Sequence, residues 1–216
     1  IGYLGMDKGV RLTDLNGDGL IDISENAGEL NPANSSWINN GSGWIRNDSW
    51  NTPEHFVDDL GGPSANDDTG VRFVDFNGDG FVDIVKGDGS TRKSYVNTKN
   101  GWSSDNSTWY LPTNANPVTS SSLIFERGVR FVDFNGDGLT DILSATDDWN
   151  YAWRNNGSGW MQDDSWKVPS AARFVIYPSG EDEGVRIFDI NGDGLPDLVK
   201  GKSTTLQTWL NNGSGW

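Results

Sequence analysis

The chain of 216 residues has no cysteine and one histidine, His55. Without cysteine there are no disulfides, no thiolate catalysis and no Cys-based zinc site. No G-x-S-x-G, P-loop or H-E-x-x-H string occurs, and His55, between Glu54 and Phe56, reads as a surface residue of an outer strand. Enzymatic function therefore has no support in the sequence. Positive charge is scarce as well. Sixteen Lys plus Arg stand against 31 Asp plus Glu, a formal net charge of −15. Such a chain repels nucleic acid phosphates and anionic membrane surfaces. No run of about 18 apolar residues is present, so no transmembrane helix is expected and no membrane insertion. Only 34% of residues are hydrophobic, too little for a thick helical core, while 28 Gly favour turns over long helices. Disorder is excluded by what the chain does hold: 11 Trp, 9 Phe and 5 Tyr that want burial. The start at Ile1 shows no charged-then-apolar leader, and the chain reads as a mature or excised piece.

Self-comparison reveals four repeats. Gly-Val-Arg recurs at Gly9, Gly70, Gly128 and Gly184, each time running into D-x-N-G-D-G-x-x-D from Asp14, Asp75, Asp133 and Asp189. The spacings are 61, 58 and 56 residues. Downstream comes W-x-N-N-G-S-G-W from Trp37, Trp153 and Trp209, with the weaker Y-V-N-T-K-N-G-W from Tyr95. A further W-x-x-P appears at Trp50, Trp109 and Trp166. These landmarks divide residues 1–216 into one repeat domain with units 9–69, 70–127, 128–183 and 184–216. Residues 1–8 read as the end of an outer strand.

Each unit reads as a meander of short antiparallel strands. In the second unit these run from Val71 to Asp75, Phe81 to Val85 and Ser94 to Asn97. A fourth is expected near Leu123 to Glu126, with counterparts at His55 to Asp59 and Arg173 to Tyr177. Four-strand units of this length are the size of propeller blades. The fold class is all-β: a β-propeller of four-stranded blades, either a small closed ring or part of a larger one. An open blade edge would invite self-association, and Ile1 to Leu4 are expected to pair near Trp209 and Asn211.

The repeated loop presents oxygen at positions 1, 3, 5 and 9, with a backbone carbonyl available at position 7. Its candidate ligands are Asp14, Asn16, Asp18, Leu20 and Asp22 in the first unit, and Asp75, Asn77, Asp79, Phe81 and Asp83 in the second. The third offers Asp133, Asn135, Asp137, Leu139 and Asp141, the fourth Asp189, Asn191, Asp193, Leu195 and Asp197. Six to eight oxygens in a flexible shell suit Ca²⁺, whereas Mg²⁺ prefers to keep its waters. An EF-hand would place Glu at position 12 between helices; here that position is Glu25, Lys86, Ser144 and Lys200. A mere Asx-rich turn leaves twelve carboxylates crowded in four loops unexplained. Four Ca²⁺ would add +8 to the net −15, leaving about −7.

The string D-I-N-G-D-G-L-P-D-L-V from Asp189, followed by T-W-L-N-N-G-S-G-W, resembles the FG-GAP and VCBS repeat family. That resemblance implies an integrin-type β-propeller with Ca²⁺ in the hairpin between the first two strands of each blade. Related repeats serve in integrin heads, in fungal lectins and in bacterial toxin-complex proteins. The resemblance thus implies a non-enzymatic, extracellular binding, adhesion or assembly scaffold whose partner is a protein or glycan on a cell surface or matrix. A propeller lectin and a structural segment of a toxin-like or fibre-forming protein are the alternatives.

Ten of the 11 Trp occupy repeat-equivalent places, which is expected of packing between blades. Trp149 alone falls outside the pattern, and its loop, with Tyr151, is the candidate ligand contact. Arg11, Arg72, Arg130 and Arg186 recur three residues before each first Asp and are expected to bridge a neighbouring blade's carboxylate. N-x-S/T sequons at Asn34, Asn40, Asn47, Asn106, Asn156 and Asn212 would be glycosylation acceptors in a eukaryotic secretory setting.

Overall fold

The structure, a computed structural model, describes residues 7–28, 34–58, 67–119 and 126–216. The fold is all-β with several antiparallel sheets. In the first unit β1 (Val10–Thr13), β2 (Asp22–Asn26), β3 (Asn34–Asn39) and β4 (Trp44–Arg46) form a four-stranded meander. A two-stranded hairpin of β5 (Val57–Asp58) and β6 (Asp67–Asp68) follows. The second unit has a three-stranded sheet of β7 (Val71–Val74), β8 (Asp83–Gly87) and β9 (Arg92–Tyr95). The third repeats the first with β10 (Val129–Val132), β11 (Asp141–Ala145), β12 (Asn150–Asn155) and β13 (Trp160–Gln162). Its hairpin is β14 (Val175–Ile176) with β15 (Glu181–Asp182). The fourth comprises β16 (Val185–Phe188), β17 (Asp197–Lys202) and β18 (Thr205–Trp209).

Register turns the sequence pattern into faces. Phe73, Ile84 and Tyr95 lie side by side across the second sheet, as do Phe131, Ile142 and Trp153 across the third. β-Branched and aromatic residues fit that pleated, half-buried surface. The core lies between consecutive sheets. Phe56 of the first unit packs with Val71, Ile84 and Tyr95 of the second. Phe76, Trp109 and Leu111 meet Val129, Ile142 and Trp153 of the third, and Phe134, Trp166 and Phe174 meet Val185 and Leu198 of the fourth. The repeat-equivalent tryptophans seal these junctions in T-shaped pairs: Trp50 with Trp102 at 5.7 Å, Trp109 with Trp160 at 5.7 Å and Trp166 with Trp216 at 6.0 Å. Packing between units, expected of the repeat-equivalent tryptophans from sequence, is what these six do, with Trp153 and Trp209 in the same clusters, whereas Trp44 is 55% exposed.

The strand assignment needs correction in one place. The segments at His55 to Asp59 and Arg173 to Tyr177 do hold strands, β5 and β14, but these pair in the separate hairpins; the fourth strand of the meander is β4 or β13, which begins at the last Trp of W-x-N-N-G-S-G-W. The turn there is tight enough that the chain folds straight back on the third strand. The W-x-x-P segments form short 3₁₀ turns, Asp48–Trp50, Ser107–Trp109 and Asp164–Trp166. Asn47, Asn106 and Asp163 cap them, each side chain accepting a backbone N–H, and the following proline could not donate to a ladder. In the second unit the fourth strand shrinks to a single bridge, Asn97 with Trp102. There Lys99 stands at φ 67° where the other units have glycine, and its Nζ lies 4.6 Å over the Phe81 ring. So the main sheet has four strands in units one and three, and three in units two and four, among the described residues. Ile1 to Leu4 and most of Leu123 to Glu126 lie outside the described residues.

The repeated arginines each pair with a carboxylate four residues back, at the turn into their strand: Arg11 with Asp7, Arg72 with Asp68, Arg130 with Glu126 and Arg186 with Asp182. For Arg72, Arg130 and Arg186 that acid closes the preceding unit, so the expected bridge between units is present, made by a partner close in sequence. The N–H of the intervening glycine shares the acid in three of them, Asp7, Asp68 and Asp182, so the pair fixes the entry turn. Lysines add further ion pairs between units. Lys86 reaches Glu54 at 2.8 Å, and Lys200 and Lys202 reach Glu183 at 2.9 and 2.7 Å.

Hydrogen bonds from Lys200 and then Lys202 hold the Glu183 carboxyl down at about 2, against an ordinary value of 4.5. A carboxylate with a lowered folded-state pKa contributes stability above its unfolded pKa and loses it as the pH falls through the folded one. Glu183→Gln should therefore be less stable than the parent at neutral pH. The gap should close as the pH falls from about 4.5 towards 2. Urea titrations across that range will show it; a gap independent of pH would refute the pairing.

Candidate metal loops

The four D-x-N-G-D-G-x-x-D loops join the first and second strands of each unit and share one geometry. In the first, Asp14 Oδ1 accepts the Gly17 N–H at 2.7 Å and Oδ2 accepts that of Gly19 at 2.8 Å. Asn16 Oδ1 accepts from Asp18 N at 3.0 Å, and Asp18 Oδ1 from Leu20 N at 2.9 Å. Gly17 and Gly19 sit at φ 76° and 86°, the left-handed region that lets N–H groups turn inward. The loops from Asp75, Asp133 and Asp189 repeat the pattern. In the last, bonds from Gly194 and the neighbouring amides hold the Asp189 carboxyl below its usual range.

Position 9 behaves differently. Asp22, Asp83, Asp141 and Asp197 are fully buried. One oxygen of each accepts the N–H of the position-2 residue, Leu15, Phe76, Phe134 or Ile190. The other accepts the N–H of an asparagine at the end of the third strand or two residues past it, Asn39, Asn97, Asn155 or Asn211, at 2.7 Å. Burial, and behind it the charges of the loop's other acids, pushes Asp83 and Asp141 up to about 7 and raises Asp22. The donor set is oxygen throughout, and a carboxylate oxygen with one N–H keeps a second acceptor site. Its chemistry fits a hard divalent cation. Among the described residues no three acidic side chains converge closely enough to hold one as arranged. The loops are closed by their own N–H groups. Their position-7 residues leave the carbonyl for the loop and use the side chain elsewhere: Phe81, Leu139 and Leu195 cover Gly17, Gly78 and Gly136 of the preceding unit.

Position 12 is structural. Lys86 and Lys200 are buried and carry the ion pairs across the junctions.

Trp149 stands at the β11–β12 turn, where Asp147, Asp148, Trp149, Asn150, Ser170 and Arg173 line a groove of about 280 Å³. Arg127 lies over its ring at 4.7 Å, and the Tyr177 ring is 4.6 Å away. Its Nε1 donates to Ser144 Oγ at 3.1 Å, and Asp147 Oδ1 accepts the Tyr177 N–H at 2.7 Å. Tyr151 stacks on Trp153 at 5.4 Å against the core and does not line the groove. Arg127 and Tyr177 carry no repeat signature, so no sequence signal could have found them. The sequon residues Asn40, Asn156 and Asn212 accept Ser42, Ser158 and Ser214 N–H in exposed turns. Asn47 and Asn106 are the turn caps already described, and Asn34 Nδ2 donates to the Thr52 carbonyl at 2.9 Å.

Residues 133–200, which include the third and fourth loops, match the family of FG-GAP-like repeats. No curated protein matches the chain significantly. Among solved structures, an Agrocybe aegerita lectin described as specifically recognising non-reducing terminal N-acetylglucosamine is similar at a TM-score of 0.65 and 19% identity. The likeness covers 99% of this chain and 52% of the lectin. The Photorhabdus luminescens Tc holotoxin pore is similar at a TM-score of 0.52 and 19% identity, over 99% of this chain and 9% of that one. This chain thus spans about half the length of the lectin and about a tenth of the toxin chain. At such identity the likeness is one of fold.

Asp83→Ala removes the acceptor of two buried N–H groups, at about 1–3 kcal/mol each. It should lower unfolding stability in chelator as well as in calcium. Lys86→Ala should lower stability by stranding Glu54, while leaving any response to calcium unchanged. Parent-like stability of Asp83→Ala in chelator would refute the structural role given to position 9.

Proposed function

We propose that this chain is a segment of an FG-GAP-like β-propeller, its sheets the blades, and that it works by binding rather than catalysis. The single observation that carries this reading is the fourfold loop with three carboxylates and an Asn in each copy. Calcium is the cofactor that fits this donor set, at four sites. Asp14, Asn16, Asp18, the Leu20 carbonyl and Asp22 would hold it in the first unit, and their counterparts in the others. When bound, it supplies positive charge that offsets repulsion among the loop acids and cross-links each hairpin. Extracellular calcium modules operate at about 10⁻⁴–10⁻³ M free Ca²⁺, and the calcium reading therefore favours a location outside the cytosol. Its partner in this reading is a protein or glycan of a cell surface or matrix. The net charge of −15 disfavours nucleic acid, and among the described residues no helix is long and apolar enough to cross a membrane.

A lectin reading is favoured by the groove at Trp149, where an aromatic ring stands among acids, an amide and a hydroxyl. An assembly segment of a larger toxin-like protein is the other alternative, favoured by the likeness to the toxin pore. Thermal melts test the calcium reading: millimolar Ca²⁺ should raise the melting temperature well above that in EDTA, and identical temperatures would sink it. Glycan-array binding lost in Trp149→Ala would favour the lectin over the scaffold.

A further inference from the structure

The turn between β11 and β12 carries polar groups that neither the core nor the metal loops use. Its backbone is fixed from within the third unit. Thr146 Oγ1 accepts the N–H of Asp148 at 3.0 Å and that of Trp149 at 3.2 Å, and Asp147 Oδ1 accepts the Tyr177 N–H at 2.7 Å. The Trp149 ring is held in turn by Arg127, by Tyr177 and by the bond from its Nε1 to Ser144 Oγ. Ser144 stands at position 12, where the second and fourth units place the ammonium of Lys86 or Lys200. The third unit has no cation of its own at that place.

The groove of about 280 Å³ beside this turn is consequently rigid and acceptor-rich. Asp147 and Asp148 are both exposed on it, and among the described residues no hydrogen bond or ion pair engages the Asp148 carboxylate. Asn150 lines the same groove. Its Nδ2 donates to the Val168 carbonyl at 2.6 Å, which fixes the orientation of the amide, and its Oδ1 is buried without a donor. A buried acceptor left without a donor is costly, and an N–H or O–H brought by a ligand removes that cost. Arg173 is the one cation on the groove lining, and its Nε lies 3.4 Å from Glu183 Oε2, so its charge is already matched. What stays uncompensated is negative, in a chain whose net charge is −15.

We propose that this groove binds an amino sugar whose amine is free and protonated, the ammonium meeting Asp148 with Asp147 beside it and a ring hydroxyl donating to Asn150 Oδ1. The proposal rests on the glycan-binding alternative above and names its ligand class. Several features of the groove select that class. Its volume lies at the small end for ligand pockets and suits a single ring. Its unfilled groups are acceptors, so the ligand must bring donors, and an ammonium brings three. Two uncompensated carboxylates repel acidic sugars, and N-acetylation of the amine removes the charge that they attract. A charge-assisted contact is about twice as strong as a neutral one, so the acids discriminate more than the amide does.

The experiment is an NMR titration of the whole chain that follows the Trp149 indole N–H, identified by its loss in Trp149→Phe. Glucosamine, N-acetylglucosamine and glucose are added in turn at a pH where the free amine is protonated. Glucosamine should shift the resonance saturably, and the two neutral sugars should bind at least about tenfold more weakly. Asp148→Asn, which breaks no contact within the fold, should melt as the parent does and weaken glucosamine binding about tenfold. Asp48→Asn removes the same charge from the first unit, where Asp48 meets Arg46, and should leave binding unchanged. Raising the pH until the sugar amine is neutral should abolish the preference. N-acetylglucosamine or glucose binding as tightly as glucosamine would overturn the ligand class and leave the lectin reading standing. No shift with any of the three sugars would overturn both at this groove. Equal weakening by Asp48→Asn would show a general attraction to an acidic chain and overturn the site.

Discussion

The structure hangs on the buried carboxylate at position 9. Asp83 takes the Phe76 N–H with one oxygen and the Asn97 N–H with the other, tying the loop to the end of the third strand. Asn97, so placed, sends its side-chain amide to the Leu15 carbonyl of the previous unit and to its own Val82 carbonyl. Asp141 with Asn155, and Asp197 with Asn211, repeat the link. One acid therefore fixes both the shape of its unit and the unit's seat on its neighbour. Removing charge from water here is costly, and the backbone N–H groups offset that cost because they are the only donors a tight Asx loop and a strand end can aim at one point.

Aromatic packing supplies the apolar part of the same junctions. Phe76 stacks on Trp109 at 4.9 Å and Phe134 on Trp166 at 4.7 Å, each pair within one unit. The next unit's Trp160 or Trp216 then meets the tryptophan edge-on and donates its indole N–H to the carbonyl of Trp109 or Trp166. A chain with 34% hydrophobic residues can build a core this way because large rings bury much area per residue and still satisfy their polar edge. The core is consequently not one mass but a series of layers between sheets, so each unit depends on its neighbours and the end units expose what the inner ones bury.

Charge is distributed by function within this frame. The positive side chains of the junctions, Lys86, Lys200 and Lys202, face Glu54 and Glu183, and the repeated arginines neutralise Asp7, Asp68, Glu126 and Asp182 at the entry turns. Among the described residues the loop acids at positions 1, 5 and 9 have no such ion-pair partners. They are held by N–H groups, which spread charge without cancelling it.

Much was legible because repetition multiplies weak signals. Gly-Val-Arg, the Asx loop and the N-N-G-S-G turn each recur, so their strands, their loop and the tryptophans of the junctions could be read from spacing alone. The fourth strand was misplaced: His55 to Asp59 and Arg173 to Tyr177 have the residue types of an edge strand and do hold β5 and β14, and only the hairpin closing at Trp44 and Trp160 shows which segment pairs with the third strand. The arginine bridge to the preceding unit was legible, but not which acid makes it, since the carboxylate four residues back varies between Asp and Glu and gives no repeat signature. The sequence by itself determined the number of units, their order and the residues of each loop, because these are properties local to a few neighbours along the chain. Tertiary structure alone decided that position 9 is buried and bonded across two strands, that Arg127 and Tyr177 flank Trp149, and that Leu12 and Ile190 face solvent while Phe73 and Phe134 do not. Those outcomes depend on which surface lies opposite each residue, and residues 50 to 80 positions apart meet there only when the sheets pack.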